Sequence, residues 1–152
     1  MKEMVYQSRL NRAMLLANEV YKGYEYVVIS LGSHPCGYVV LDKDDKLYGM
    51  DYDDIHEENE IYVHGGFTYS EDYLSFLEWS DKYDCDVKTS IKDKWVVGWD
   101  YGHYGDYYGG GLYDDGDGKK WTTAEIVDEC KAVIDQIIEI NKLGRIFYEP
   151  NG

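Results

Sequence analysis

The sequence predicts a single α+β domain over residues 1–152, in which an antiparallel sheet of about four to five strands carries an N-terminal and a C-terminal helix. Apolar residues recur at helical spacing near both ends of the chain. Between these ends, short runs of β-branched and aromatic residues alternate with polar or glycine-containing turns. A length of 152 residues suits one hydrophobic core, and the sequence has neither an internal repeat nor a linker-like segment.

The N-terminal helix is predicted over residues 2–21. Its apolar residues recur at helical spacing, while arginine, asparagine and glutamate take the other faces. Gly23 is the expected helix end, because glycine commonly follows a last helical turn. The apolar positions are Met4, Val5, Leu10, Met14, Leu15 and Val20.

A hairpin or meander is predicted next. Residues 24–31 and 36–41 read YEYVVISL and CGYVVL, which are rich in β-branched and aromatic residues. The polar DKDDK stretch at 42–46 predicts a turn. Residues 51–60 are acidic and without periodicity, so we expect an exposed loop there.

The middle of the chain predicts a short strand at 61–64 and either a helical turn or an irregular packing segment at 73–79. Residues 94–100 predict the central strand. They lead into a long surface loop over residues 101–121 that is rich in glycine, tyrosine and aspartate.

The C-terminal helix has the clearest local signals. Thr122 and Glu125 form a capping box that starts it, and Gly144 is expected to stop it. Its apolar face contains Val127, Cys130, Val133, Ile134, Ile137 and Ile138. Residues 145–152 are expected to add a short edge segment.

The charge of the chain narrows the possible partners. Thirty acidic residues against 15 basic ones give a net charge of −15, which disfavours direct DNA or RNA binding because that binding depends on lysine and arginine. The same charge leaves open an acidic DNA mimic that inhibits a host defence protein.

Cysteine usage and hydropathy indicate the compartment. The three cysteines are odd in number and in no CxxC pair, which is typical of reduced thiols in a cytoplasmic protein. The first residues lack the apolar core of a signal peptide, and no apolar run approaches the ~20 residues that span a bilayer. We therefore expect no membrane association.

Two stretches share one pattern, a short apolar run followed by histidine, glycine and hydroxyl or carboxyl side chains. They are IYVHGGFTYS at 61–70 and WVVGWDYGHYGD at 95–106. We expect the two loops to meet and to form a ligand-binding pocket, since polar residues at strand ends commonly form sites. The candidate ligand-binding residues are His64, Gly65, Gly66, Thr68, Tyr69, Trp99, Asp100, His103 and Asp106.

The chemistry of this pocket is left open by the residue types. Histidine and aspartate ligate transition metals, and His64 or His103 oriented by Asp100 could serve as an acid or base. No nucleophile motif accompanies them, so no catalytic residue, metal ligand or cofactor is assigned. The glycine turn could bring backbone N–H groups close to a phosphate, for which Lys119 and Lys120 supply positive charge.

The motifs CGYV, VHGGxTYS, WxxGxDxxHxGD and VxEC, at residues 36–39, 63–70, 95–106 and 127–130, resemble a family of small proteins found widely in phages and prophages. The family pattern has a Cys-Ala-His step where this chain has Tyr101-Gly102-His103, so a thiol is not required there. The resemblance implies a phage setting. Small phage proteins with polar, aromatic, glycine-lined pockets include sponges that sequester cyclic-nucleotide or ADP-ribose immune signals.

Three hypotheses follow. The first is a counter-defence binding protein in the cytoplasm of the infected cell that sequesters a small nucleotide-like ligand, a role with which assembly into a homo-oligomer is compatible. The second is a metal- or acid/base-dependent hydrolase acting on a small nucleotide-like substrate. The third is the acidic DNA mimic.

Overall fold

One antiparallel sheet with the strand order β1-β2-β3-β4-β6-β5 is the framework of the described chain. The structure is a computed structural model that describes residues 5–7, 12–80, 93–103, 105–106 and 118–147. The strands are β1 (Val5–Gln7), β2 (Arg12–Tyr21), β3 (Tyr24–Ser30), β4 (Pro35–Asp42), β5 (Tyr69–Asp72) and β6 (Lys94–Asp100). The helices are α1 (Tyr52–Glu58), α2 (Tyr73–Ser80) and α3 (Thr123–Phe147).

The α+β class, the antiparallel sheet and the packing of the C-terminal helix on it are confirmed. The sheet has six strands rather than four to five. Three of the six strands, β1, β2 and β5, were not predicted as strands. Of these, β1 and β5 are short, with three and four residues, and lie at the two edges of the sheet.

The predicted N-terminal helix over residues 2–21 is wrong. Within that range, the described residues form β1 and β2, and β2 pairs antiparallel with β3. Lys22 and Gly23 both have positive φ, 50° and 85°, which is the backbone of a two-residue hairpin turn. Gly23 is therefore a turn residue and not a helix cap. The hydrogen bonds between β2 and β3 stabilise a strand where the apolar spacing predicted a helix.

The predicted strands at 24–31, 36–41 and 94–100 are confirmed as β3, β4 and β6. Their apolar runs are continuous because both faces of the sheet are covered. On one face, Val28, Val39 and Val97 pack in a cluster with Ile134 and Ile137 of α3. On the other face, a second cluster contains Val27, Val40 and Val96 together with Phe76 of α2.

Two glycine–aromatic pairs hold β4 and β6 in close contact. Gly37 pairs with Trp99 and Tyr38 pairs with Gly98. A Cβ atom added to Gly37 would lie 2.6 Å from the Trp99 indole, and one added to Gly98 would overlap the Tyr38 ring. The two aromatic side chains therefore lie on opposite faces of the sheet, each over a position that only glycine can occupy.

The segment between β4 and β5 differs from expectation. The exposed loop predicted at 51–60 is wrong, because α1 forms there with Asp53 and Asp54 in its first turn and with Ile55 fully buried. The strand predicted at 61–64 is also wrong. Its backbone bonds go to side chains of α3 instead of a neighbouring strand: Tyr62 N–H donates to Gln136 Oε1 and His64 N–H donates to Glu129 Oε2.

The remaining helices are α2 and α3. Residues 73–79 belong to α2, which agrees with the helical alternative. The capping box of α3 is confirmed, since the Thr122 hydroxyl accepts from Glu125 N–H at 3.1 Å and Glu125 accepts from Thr122 N–H at 3.0 Å. The predicted stop at Gly144 is wrong, because α3 continues to Phe147. The expected edge segment at 145–152 overlaps the end of α3 and otherwise lies outside the described residues.

Among the described helices, none combines the length and apolar composition needed to cross a membrane.

Candidate functional site

The two loops singled out in the sequence meet beyond the end of β6. His64 Nε2 lies 2.8 Å from Oδ2 and 3.1 Å from Oδ1 of Asp106. The ring of His103 packs against Gly65, where an added Cβ would overlap it. Gly65 has φ +70° and its neighbour Gly66 has φ +80°, so the turn needs glycine for both its backbone conformation and its close contact.

Asp106 is the centre of this contact and is only 4% exposed. Besides His64, it accepts hydrogen bonds from the Trp121 indole at 2.8 Å and from His103 N–H at 3.0 Å. Burial raises the pKa of Asp106, but these hydrogen bonds outweigh it and hold the pKa below its usual value. We call Asp106 with His64, His103 and Trp121 the Asp106 network. Its charged carboxylate joins the glycine turn, the end of β6 and the entry to α3.

Aromatic rings hold His64 in place. Its imidazole stacks on the Tyr101 ring, with centroids 4.5 Å apart and planes inclined by 16°, and the Trp121 ring lies edge-on at 5.0 Å. Tyr101 is 1% exposed, and its hydroxyl accepts from the Trp99 indole at 3.1 Å. The orientation of His64 is thus fixed by packing as well as by hydrogen bonding.

A second carboxylate organises the outer part of the loop. Asp100 accepts from the Thr68 hydroxyl at 3.1 Å and from Gly102 N–H at 3.0 Å. His103 Nε2 lies 3.3 Å from Asp100 Oδ1, yet it has no hydrogen-bond partner among the described residues. Asp100 therefore orders the backbone after β6 and lies at ion-pair distance from His103 without a hydrogen bond to it.

The glycine turn has little capacity left to bind a phosphate. His64 N–H donates to Glu129, and Gly66 N–H donates to Val63 O at 2.8 Å. Phe67 N–H donates to His56 Nε2 at 2.8 Å, so that nitrogen is unprotonated. The expected use of these backbone amides for an anion is therefore weakened, because most of them already have intramolecular acceptors.

Two candidates from the sequence lie away from the junction of the loops. Trp99 is 1% exposed and packs beneath α3. Tyr69 belongs to β5 and packs on the opposite face of the sheet, where its ring lies 5.4 Å from that of Tyr38. The structure therefore does not bring Trp99 and Tyr69 to the surface of a shared pocket, whereas it does gather His64, Gly65, Thr68, Asp100, His103 and Asp106.

A cavity of about 250 Å³ lies on one side of the Asp106 network, and we call it the basic cavity. It is lined by Ser30, Gly32, Ser33, His34, Pro35, Tyr101, Lys119, Lys120 and Trp121. Ser33 Oγ and His34 Nδ1 share a hydrogen bond of 2.8 Å. Burial lowers the pKa of His34, so the positive charge of the cavity at neutral pH comes from the two lysines.

An open groove of about 530 Å³ lies on another side of the network, and we call it the histidine groove. It is lined by His56, Ile61, Tyr62, Val63, His64, Gly66, Glu129, Ala132 and Gln136. Its described lining includes two imidazoles and one carboxylate but no lysine or arginine. The two depressions are thus chemically different, and His64 and Tyr101 stack between them.

Sequence reasoning missed several residues that the structure brings to the site. Trp121 lies just before α3 and Glu129 lies in its second turn. His56 comes from α1 and His34 from the turn before β4. Glu129 is part of the VxEC motif, so a signal was present, but the sequence did not indicate that its carboxylate would hold the glycine turn.

Among the described residues, no group of three or more histidine, cysteine, aspartate or glutamate side chains is arranged to hold an ion. Two of the imidazoles already make hydrogen bonds: His64 through Nε2 to Asp106, and His56 through Nε2 from the Phe67 N–H.

The fold and the site define an α+β domain in which a buried aspartate–histidine network separates a basic cavity from a histidine-lined groove. Comparison of the chain with protein-family models, with curated proteins and with solved structures gives no significant match.

Proposed function

We propose that the protein binds a small nucleotide-like ligand in the basic cavity and thereby sequesters a nucleotide-derived immune signal as a phage-encoded counter-defence protein. The observation that carries the proposal is the convergence of Lys119, Lys120 and Trp121 with the hydroxyl of Ser33 on one cavity. Ammonium groups suit phosphate, and aromatic and hydroxyl groups suit a base and a ribose.

Lys119 and Lys120 give the basic cavity a positive charge in a chain that is strongly negative overall. The chain carries a net charge of −15, so a cavity with two lysines differs in sign from the average surface. Lys119 Nζ lies 4.0 Å from the centre of the Trp121 ring and 3.0 Å from Glu125 Oε2. A ligand phosphate would compete with Glu125 for Lys119 and leave the Trp121 contact in place.

The size of the cavity limits the part of the ligand that it can hold. Ligand pockets usually measure about 300–1,000 Å³. At about 250 Å³, the basic cavity would take the phosphate-bearing part of a nucleotide, while the remainder would extend over the surface. A cavity that holds only the phosphate-bearing part would accept several related phosphorylated signals, whereas a cavity that encloses the whole ligand would select one compound.

Calorimetric titration tests the proposal. AMP, ADP-ribose and a cyclic dinucleotide should bind, and adenosine should bind at least tenfold more weakly because it has no phosphate. Lys120→Glu should remove most of the phosphate-dependent affinity. Lys43→Glu is the matched control, because it makes the same charge change in the turn at the other end of β4.

Mass spectrometry separates sequestration from turnover. After incubation, a sequestered ligand should be recovered with unchanged mass. Absence of binding by all the phosphorylated compounds, or equal losses in Lys120→Glu and Lys43→Glu, would contradict the proposal. The DNA-mimic hypothesis stays a prediction, and it would gain support if phosphorylated ligands fail and the acidic surface inhibits a DNA-binding defence protein.

A further inference from the structure

We propose a second, separate activity: His64 acts as a general base in the histidine groove and activates water to hydrolyse a neutral ester or lactone. The observation behind it is the pairing of His64 with a buried carboxylate on one side and an open groove on the other. This activity does not depend on ligand binding in the basic cavity.

The hydrogen bonds of His64 determine which nitrogen is the base. Nε2 donates to Asp106, whose pKa is held low, so the carboxylate is charged and keeps the proton on Nε2. Nδ1 is then the unprotonated nitrogen, and it has no hydrogen bond to the described residues. The side chain is 25% exposed and lines the groove, so water can reach it.

Asp106 and His64 correspond to the aspartate and the histidine of a hydrolytic triad. An aspartate that binds one imidazole nitrogen fixes the tautomer and stabilises the imidazolium that forms when the other nitrogen takes a proton. The described lining of the groove has no serine, threonine or cysteine, so water is the nucleophile that the geometry favours.

The residues that line the histidine groove indicate the class of substrate by their polarity and charge. Ile61, Val63 and Ala132 provide apolar surface, and Glu129 provides negative charge. With no lysine or arginine in the described lining, the groove disfavours phosphate esters. A small uncharged acyl compound matches these properties.

The proposed step is balanced without a co-reactant. His64 Nδ1 takes a proton from water while the water oxygen forms a bond to the acyl carbon and the carbonyl electrons move to its oxygen. When the carbonyl re-forms, the bond to the alcohol oxygen breaks, and that oxygen takes the proton from Nδ1. The products are a carboxylic acid and an alcohol.

The expected acceleration is moderate. Positioned general bases contribute typically ~10²–10⁴-fold. The nearby His64 and Gly66 amides are already bonded to Glu129 and Val63, so they do not form an oxyanion hole. Activated esters are therefore the suitable probes.

The test measures hydrolysis of p-nitrophenyl acetate by the full chain between pH 5 and 9, with free imidazole at equal concentration as the reference. The rate should exceed that of imidazole by at least tenfold and should rise with pH through one inflection, as expected for a single general base. The titratable groups facing His64 are Asp106, Glu129, Tyr101 and His103. His64→Gln should remove the excess rate and the inflection.

Variants separate chemistry from structure. Asp106 is a positioning residue, so Asp106→Asn should lower the rate and shift the inflection, with folding checked by circular dichroism. His34→Gln, which changes a histidine that lines the basic cavity instead of the groove, should keep the excess rate and the inflection. A rate equal to that of imidazole, an unchanged profile in folded His64→Gln, or an acetyl group trapped on His64 would each overturn the proposal. None of these outcomes bears on nucleotide binding, which is measured separately.

Discussion

Replacement of Gly65 by alanine is the sharpest test of the contact between the two loops. Gly65 has φ +70°, and a Cβ atom there would overlap the imidazole of His103. The substitution should therefore impose two costs, one for the left-handed backbone and one for the displaced ring. Gly49 offers a matched control, because it has φ +80° and no atom within 4 Å of an added Cβ.

The two costs can be separated in magnitude. A left-handed conformation costs an L-residue about 1–2 kcal/mol, and both variants share that cost. Overpacking adds about 1–3 kcal/mol in Gly65→Ala alone. We therefore expect the free energy of unfolding to fall by about 1–2 kcal/mol in Gly49→Ala and by about 2–5 kcal/mol in Gly65→Ala. For a domain of this length, each kcal/mol corresponds to roughly 2–4 °C in Tm.

Urea denaturation followed by circular dichroism measures these differences. Adding His103→Ala to Gly65→Ala should recover the overpacking part, because the obstructing ring is gone, while adding it to Gly49→Ala should not. If Gly65→Ala and Gly49→Ala lose equal stability, or if His103→Ala gives no recovery, the proposed packing of His103 on the glycine turn is refuted.

Other predictions concern single groups. The pKa of Asp106 lies below its usual 3.8, so its contribution to stability is complete above about pH 4 and is lost as pH falls through the folded value. The urea midpoint of Asp106→Asn should accordingly vary less with pH below 4 than that of the wild type. Burial raises the pKa of Cys36 and of Cys130 to about 12, so a Cys85→Ser protein should react with a thiol reagent at pH 8 only after unfolding. Thr122→Ala should lower stability by about 0.5–2 kcal/mol, measured as Tm, because it removes the hydroxyl that caps α3.

The parts of the fold that the sequence predicts well are those with redundant signals. The strands β3, β4 and β6 are continuous apolar runs bounded by turns, and burial on both faces maintains that pattern. The start of α3 has a capping box, whose two hydrogen bonds are local and can be seen in four consecutive residues.

Two of the errors, at β2 and at residues 61–64, have a common cause in long-range pairing. In β2, the apolar spacing fits a helix, but hydrogen bonds to β3 through the hairpin at Lys22 and Gly23 decide for a strand. Residues 61–64 have strand-forming side chains, yet their hydrogen-bond partners Glu129 and Gln136 belong to α3. Neither partner can be identified from local sequence, since both lie more than 60 residues away.

The candidate site, like the fold, is predicted correctly where the signal is local in sequence and incorrectly where it depends on distant contacts. The meeting of the two loops was expected from their shared pattern, and in the structure His64 and Asp106 make the contact. Trp99 was expected among the ligand-binding residues, but its position opposite Gly37 places the indole in the core. The contribution of Trp121 depends on where α3 begins relative to the sheet, which no short motif reports.

The Asp106 network affects how any functional result must be interpreted. Asp106 accepts hydrogen bonds from three separate segments, so its loss would loosen the walls of the basic cavity and of the histidine groove together. A defect in an Asp106 variant could therefore arise from either depression. Of these two depressions, Lys120 lines the basic cavity and His64 lines the groove. If Lys120→Glu abolishes nucleotide binding while His64→Gln abolishes ester hydrolysis, and neither affects the other property, the two depressions are independent sites held by one structural aspartate.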